Sequence, residues 1–283
     1  MDKKEGNNFL SNKTACDPAC KSLTLLPRNR SGQVTIFIII GIIIVAVGLL
    51  IYSFYPQIKT SLGTAQQSPQ QFIQSCIEQD IKNAVDTLSL QGGSINATNY
   101  LLYNDSKVEY LCYTNEYYRP CEVQQPMLKS HIESEIKNQI SNNVDACFTS
   151  MQQSYVKQGF SVDLKPGMKT VELFPNRIVA TFNYSLTLTK GENAQKYNSF
   201  VVLVNNNLYE LVSIANSIIE WEASYGDVDV ATYMTYYHNL KAEKILRGND
   251  GKIYVLTDRD TGDKFQFAIR GQIWPAGYLT PTT

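Results

Sequence analysis

The sequence predicts an α+β domain of amphipathic helices, antiparallel strands and hairpins, carried on a single amino-terminal membrane-spanning helix. Three observations lead there. No charged residue occurs from Ser31 to Ile58; apolar residues recur at i, i+3, i+4 spacing within 72–88 and 128–147; and strict alternation takes over beyond Gly159.

The uncharged run includes Ile36 to Ile51, almost wholly Ile, Val, Leu and Gly, and at 1.5 Å per residue it is long enough to cross the hydrocarbon layer of a bilayer. A buried helix of that kind would need apolar neighbours on every side, which the rest of the chain does not supply. The spanning helix is placed at 33–56, after a basic tail or leader at 1–32. Lys3, Lys4, Lys13, Lys21, Arg28 and Arg30 precede the run, whereas Lys59 is the only basic residue between it and Lys82. Such asymmetry keeps the amino end in the cytoplasm and the remainder outside the cell. Beyond residue 56 the chain carries 19 Lys plus Arg against 23 Asp plus Glu, so it offers no basic face and no nucleic-acid partner is expected.

At the junction, Arg28-Asn29-Arg30-Ser31-Gly32-Gln33-Val34-Thr35-Ile36-Phe37 resembles the class III signal peptides of archaeal type IV pilin-like proteins. The resemblance implies processing between Gly32 and Gln33. It departs from the family at the fifth mature position, where pilins carry Glu and this chain has Phe37. The rest of the chain, with Ser75-Cys76-Ile77 followed by Leu90-Gln91-Gly92-Gly93, looks like an uncharacterised group of single-span surface proteins of small-genome archaea, a likeness that implies no activity. The apolar run is longer than the h-region of a cleaved secretory signal.

Residues 57–70 are polar and punctuated by Gly63 and Pro69, which reads as a linker, and the external domain is placed at 71–283. Phe72, Ile73, Cys76, Ile77, Ile81, Ala84, Val85 and Leu88 form the stripe of a first helix, stopped by Gly92-Gly93. Tyr100 to Tyr103 and Val108 to Cys112 flank Asn104-Asp105-Ser106-Lys107 as a hairpin. A second helix carries Leu128, Ile132, Ile136, Ile140, Val144 and Cys147 on one face.

Strands follow at 160–164, 171–174 and, as one continuous strand, 178–188, arranged as an antiparallel meander. Lys190-Gly191-Glu192-Asn193 reads as a turn and 200–204 as a short buried strand. Leu208, Leu211, Val212, Ala215, Ile218, Ile219 and Trp221 return to helical spacing, and 231–240 reads as a further helix. Residues 242–246 and 252–256 pair across Asn249-Asp250-Gly251, with 264–269 as a third strand. The whole is one domain or two packed lobes divided near Gly159.

Cys76, Cys112, Cys121 and Cys147 all lie on the outer side, an even number where disulfides persist. Their separations of 36, 9 and 26 residues lack the close pairs of a zinc site. Of the three pairings, Cys112 with Cys121 closes a short loop, and Cys76 with Cys147 joins two helices that each turn a cysteine inward. Cys16 and Cys20 in the tail read as free thiols. Asn96, Asn104 and Asn183 begin N-x-Ser/Thr tripeptides and are candidate glycosylation sites.

No nucleophile elbow, zincin helix, Walker loop or dinucleotide fingerprint is present, and His131 and His238 are the only imidazoles. His131 reads as a surface residue. His238 follows Tyr233, Tyr236 and Tyr237, an aromatic patch of packed or interfacial character whose functional counterpart is a sugar- or protein-binding surface. Asp258-Arg259-Asp260-Thr261-Gly262-Asp263 fails as an EF-hand, with Gly262 at the fifth position and Ile269 at the twelfth, and reads as a polar turn. No catalytic residue, metal or cofactor is therefore assigned. The expected partners are the lipid bilayer and a cell-surface protein or glycan. The first function class is a non-enzymatic, surface-anchored binding or scaffolding protein; the second is a pilin-like subunit of a homo-oligomeric filament; the third is a tethered hydrolase working with carboxylates alone.

Overall fold

A computed structural model describes residues 37–47, 49, 67–117, 119–248 and 251–271. Residues 37–47, inside the uncharged run, form a helix (α1) whose side chains are exposed. No helix among the described residues is long and apolar enough to cross a membrane. The rest of the predicted span, the basic tail and the Gly32-Gln33 junction lie outside the described residues.

From Gln66 onward the chain is one compact unit with a contiguous hydrophobic core, and Gly159 ends a helix within it. Helix α2 (Pro69–Leu90) starts two residues before the expected boundary because Ser68 and Pro69 belong to it rather than to the linker. Ser68 accepts from the Gln71 amide while Gln71 reaches back to Ser68, and Pro69 takes the first helical position, where a missing N–H costs nothing. Ile73, Ile77, Ile81, Val85 and Leu88 are buried. Past its end, Gly93 has φ 98°, and a Cβ there would stand 2.9 Å from Ile132 Cγ1, so only glycine lets the turn close onto the next helix.

The hairpin β1 (Tyr100–Tyr103) and β2 (Ser106–Tyr113) turns on Asn104 and Asp105, both at positive φ as a two-residue hairpin loop requires. A short β3 (Glu122–Val123) pairs with β2 before the 30-residue α3 (Leu128–Lys157), which packs along α2.

Beyond α3 the sequence-based picture needs correction. Residues 161–190 form one long hairpin, not a meander. Its outer arm is β4 (Ser161–Lys165) and β5 (Lys169–Phe174); its returning arm is β6 (Arg177–Phe182) and β7 (Ser185–Lys190). Three residues, 166–168, oppose two, 183–184, so the ladder breaks as at a bulge and the expected continuous strand 178–188 is interrupted at Asn183-Tyr184. Gly167 is required there, since a Cβ would fall 1.8 Å from the Asn183 carbonyl oxygen. Tyr184 is driven into the core, stacked on Phe148 with centroids 4.0 Å apart, and its hydroxyl donates to Asp145. Each half of the broken hairpin gains a third strand, β8 (Asn193–Tyr197) on β7 and β9 (Phe200–Asn205) on β6.

Helix α4 (Leu208–Tyr225) ends at Gly226, and the seven-residue α5 (Val230–Tyr236) stops four residues short of its expected end. Leu240 already belongs to β10 (Leu240–Leu246), which precedes β11 (Gly251–Asp258) and β12 (Lys264–Arg270). These three are antiparallel neighbours as expected; the turn residues Asn249 and Asp250 lie outside the described residues. Strand β12 also pairs in parallel with β2, giving the order β1-β2-β12-β11-β10.

Candidate ligand-binding cleft

Both expected bridges are present. Cys76 on α2 is joined to Cys147 on α3, 71 residues apart, and Cys112 on β2 to Cys121, 9 residues apart. Cys147, Cys112 and Cys121 are buried and Cys76 is half-buried, so the bridges fasten the core rather than a surface loop. Asn96, Asn104 and Asn183 are all exposed.

An open cleft of about 790 Å³ lies between α4 and α5. Ser217 and Trp221 form the α4 wall, while Thr232, Tyr233, Tyr236 and Tyr237 form the α5 wall. Asp227, Val228 and Asp229, on the link between the helices, make the floor. Trp221 departs from its expected place on the buried stripe. It is 50% exposed and leans on Tyr225, one turn on, with ring centroids 4.6 Å apart. Tyr236 is 78% exposed. Helix α5 buries none of its residues; Val230, Tyr233 and Met234 are half-buried against the core, and the Tyr233 and Ser217 hydroxyls hydrogen-bond at 2.8 Å across the two walls.

Beneath the floor lies a buried polar cluster that sequence reasoning missed. Glu222, 1% exposed, accepts from Lys252 Nζ at 2.7 Å and from the Tyr254 hydroxyl. Lys252 also donates to the Gly226 carbonyl and to Asp227 Oδ1 at 3.2 Å. Lys244 adds bonds of 2.9 and 3.1 Å to Asp227 and 2.8 Å to the Val228 carbonyl. Two lysines from β10 and β11 thus hold the cleft floor in place. The missed signal is readable in retrospect: Glu222 falls three and four residues after Ile219 and Ile218, on the apolar stripe, where a carboxylate needs a buried partner.

Electrostatics divide the carboxylates. Burial pushes Glu222 above the usual range, only partly opposed by Lys252 and Tyr254. Burial acts on Asp227 in the same direction, but Lys244 and Lys252 overcome it and hold Asp227 below its ordinary value, so the floor carboxylate is ionised. Asp229 caps α5 by accepting from the Ala231 amide at 2.9 Å.

A smaller cavity of about 320 Å³ shares Tyr237 with the cleft and is lined by His238, Glu210 and Asp258 among others. Glu210 Oε1 accepts from the Asn176 amide at 3.0 Å, whereas its Oε2 is buried with no hydrogen-bond partner among the described residues. The Asp258–Asp263 segment is a polar turn: Asp258 accepts from the Asp260 and Thr261 amides and from Asn207, and Asp263 from Asn206 and Asn207. No group of three or more metal-ligating side chains is found among the described residues.

His131 is not a simple surface residue. It is half-buried, with Nε2 2.8 Å from the Ser94 hydroxyl, which also bonds Glu109. Ser94 is buried and engaged on both sides, so the group is a structural tie between the turn after α2 and helix α3. In comparisons with protein-family models, curated proteins and solved structures, nothing matches this chain.

Proposed function

We propose that this chain is a single-pass, membrane-anchored protein whose disulfide-stabilised domain lies outside the cell and binds a cell-surface glycan or protein through the α4–α5 cleft, without enzymatic activity. The observation that carries the reading is the use of all four cysteines beyond the apolar run in two core-fastening bridges, the economy of an oxidising compartment. The uncharged run and the basic residues before it supply the anchor and its orientation. Asp227, ionised and committed to two lysines, and Asp229, committed to a helix cap, suit a binding floor better than the protonated acid that a carboxylate hydrolase needs.

The second reading is a pilin-like subunit processed before Gln33, supported by the resemblance at residues 28–37. Helix α2 favours the tether, because the Ser68 capping box starts a new helix there instead of continuing the one from the apolar run. Two measurements on the full chain in cells separate these readings. For the tethered protein, external protease removes the domain, and alkylation of the denatured, unreduced chain labels Cys16 and Cys20 alone. A mature amino terminus at Gln33 in isolated filaments selects the pilin reading, and six reactive thiols in a protease-protected chain reject both.

A further inference from the structure

Resting on the reading of the α4–α5 cleft as a binding site, we infer that its ligand is an uncharged carbohydrate, with sugar rings stacked on Trp221 and Tyr236 and sugar hydroxyls donating to Asp227 and Asp229. The cleft volume falls within the range of small-ligand sites, and its walls are concave rather than the flat face of a protein contact. Rings stand on both walls with carboxylates between them, so the ligand must present apolar faces and hydrogen-bond donors alternately, as pyranose rings do. The floor supplies acceptors: Asp227 is ionised and its side chain is exposed, and Asp229 spends only Oδ1 on the α5 cap.

Charge argues for a neutral ligand. The lysines on Asp227 already offset its charge, so the floor offers oxygen acceptors without a strong field to draw a cation. An anion would meet no Lys or Arg among the residues lining the cleft. Thr232 and Ser217 add hydroxyls that can bond in either direction.

The test uses the full chain in a detergent without a sugar headgroup, carrying Trp274→Phe so that emission reports Trp221, the other of the two tryptophans. The probes are hexasaccharides of glucose, mannose and N-acetylglucosamine, and the glycan fraction released from the envelope of the source cells. The expected result is a shift in Trp221 emission with at least one probe, an affinity lowered about tenfold by Tyr236→Ala, and little change in affinity from low to high salt. The exposure of Tyr236 makes that variant safe for folding, checked by an unchanged melting temperature. No response to any probe overturns the carbohydrate, as does binding that collapses with salt. The two levels of failure stay separate. If intact envelopes retain the chain and Tyr236→Ala releases it although no glycan binds, the cleft remains a binding site for a protein or lipid. If retention is indifferent to Tyr236→Ala and Trp221→Ala, the cleft itself is excluded.

Discussion

Glu109 shows how a single side chain sets a pH dependence. It is half-buried beside Ser94, His131 and Glu135, and Glu135 itself accepts from the Ile95 amide at 2.9 Å. Burial raises Glu109 above the ordinary glutamate value of 4.5, with the Ser94 hydroxyl and the neighbouring His131 opposing and Glu135 adding to the rise. The folded chain therefore holds this proton more tightly than the unfolded one. Its contribution to stability is complete below pH 4.5 and is lost as pH rises through the raised folded value. Glu109→Gln keeps an acceptor for Ser94 and removes the titration. Denaturant midpoints followed from about pH 4 to pH 8 should fall less steeply for the variant than for the parent, and parallel profiles would contradict the assignment. Asp145 works with the opposite sign, held below 3.8 by Lys169 and Tyr184, so its contribution is lost only as pH falls through that lower value. None of this could be read from His131 standing next to Ile132 in sequence, because the Ser94 contact exists only once the Gly92-Gly93 turn has folded back.

At the scale of elements, α2 does for β9 what a neighbouring strand would do. The Gln70 side chain both donates to the Val201 carbonyl and accepts from the Val201 amide, and Gln74 repeats the pattern on Leu203 at 3.0 and 3.1 Å. Four helical residues rise about 6 Å and two strand residues about 6.6 Å, so side-chain amides one turn apart match alternate residues of an extended edge. The ladder caps an edge that otherwise invites pairing with another chain. Gln74→Glu keeps the shape but removes the donor and sets a carboxylate against a carbonyl. It should cost about 1–3 kcal/mol by chemical denaturation and raise the tendency to aggregate on refolding, whereas Gln79→Glu on the exposed face should stay within about 0.5 kcal/mol. Periodicity made α2, α3, α4 and the hairpins legible. It was blind to the break at Asn183-Tyr184, where alternation of buried and exposed residues runs on through a bulge, and to β8, whose Asn193 to Tyr197 bury almost nothing. The helix expected at 231–240 is present but ends at Tyr236, because Leu240 is taken by β10 and boundaries are set by tertiary pairing that periodicity does not show. The cleft was half legible: the tyrosines drew notice, but Trp221 sits at helical spacing and gives no hint that it faces outward.

For the molecule as a whole, the two bridges act on different lengths of chain. In the chain-entropy view, the 71-residue separation of Cys76 and Cys147 is worth about 4 kcal/mol and the 9-residue separation of Cys112 and Cys121 about 2–3 kcal/mol. Replacing each pair by alanine should lower the unfolding free energy in that order, measured by denaturant titration, and an equal loss would shift the explanation from unfolded-state entropy to local packing. The pairing was legible because cysteine spacing and helical phase are both properties of the chain itself. The parallel contact between β2 and β12 was not, since nothing local announces a partner so remote. That contact governs the order of assembly. Gln266 bonds Leu90 across 176 residues, and Arg270 reaches Tyr113 across 157. The first hairpin to emerge during synthesis must wait, one flank bare, for β12 to arrive, so a polypeptide cut short between residues 258 and 264 would leave the largest sheet split at its seam.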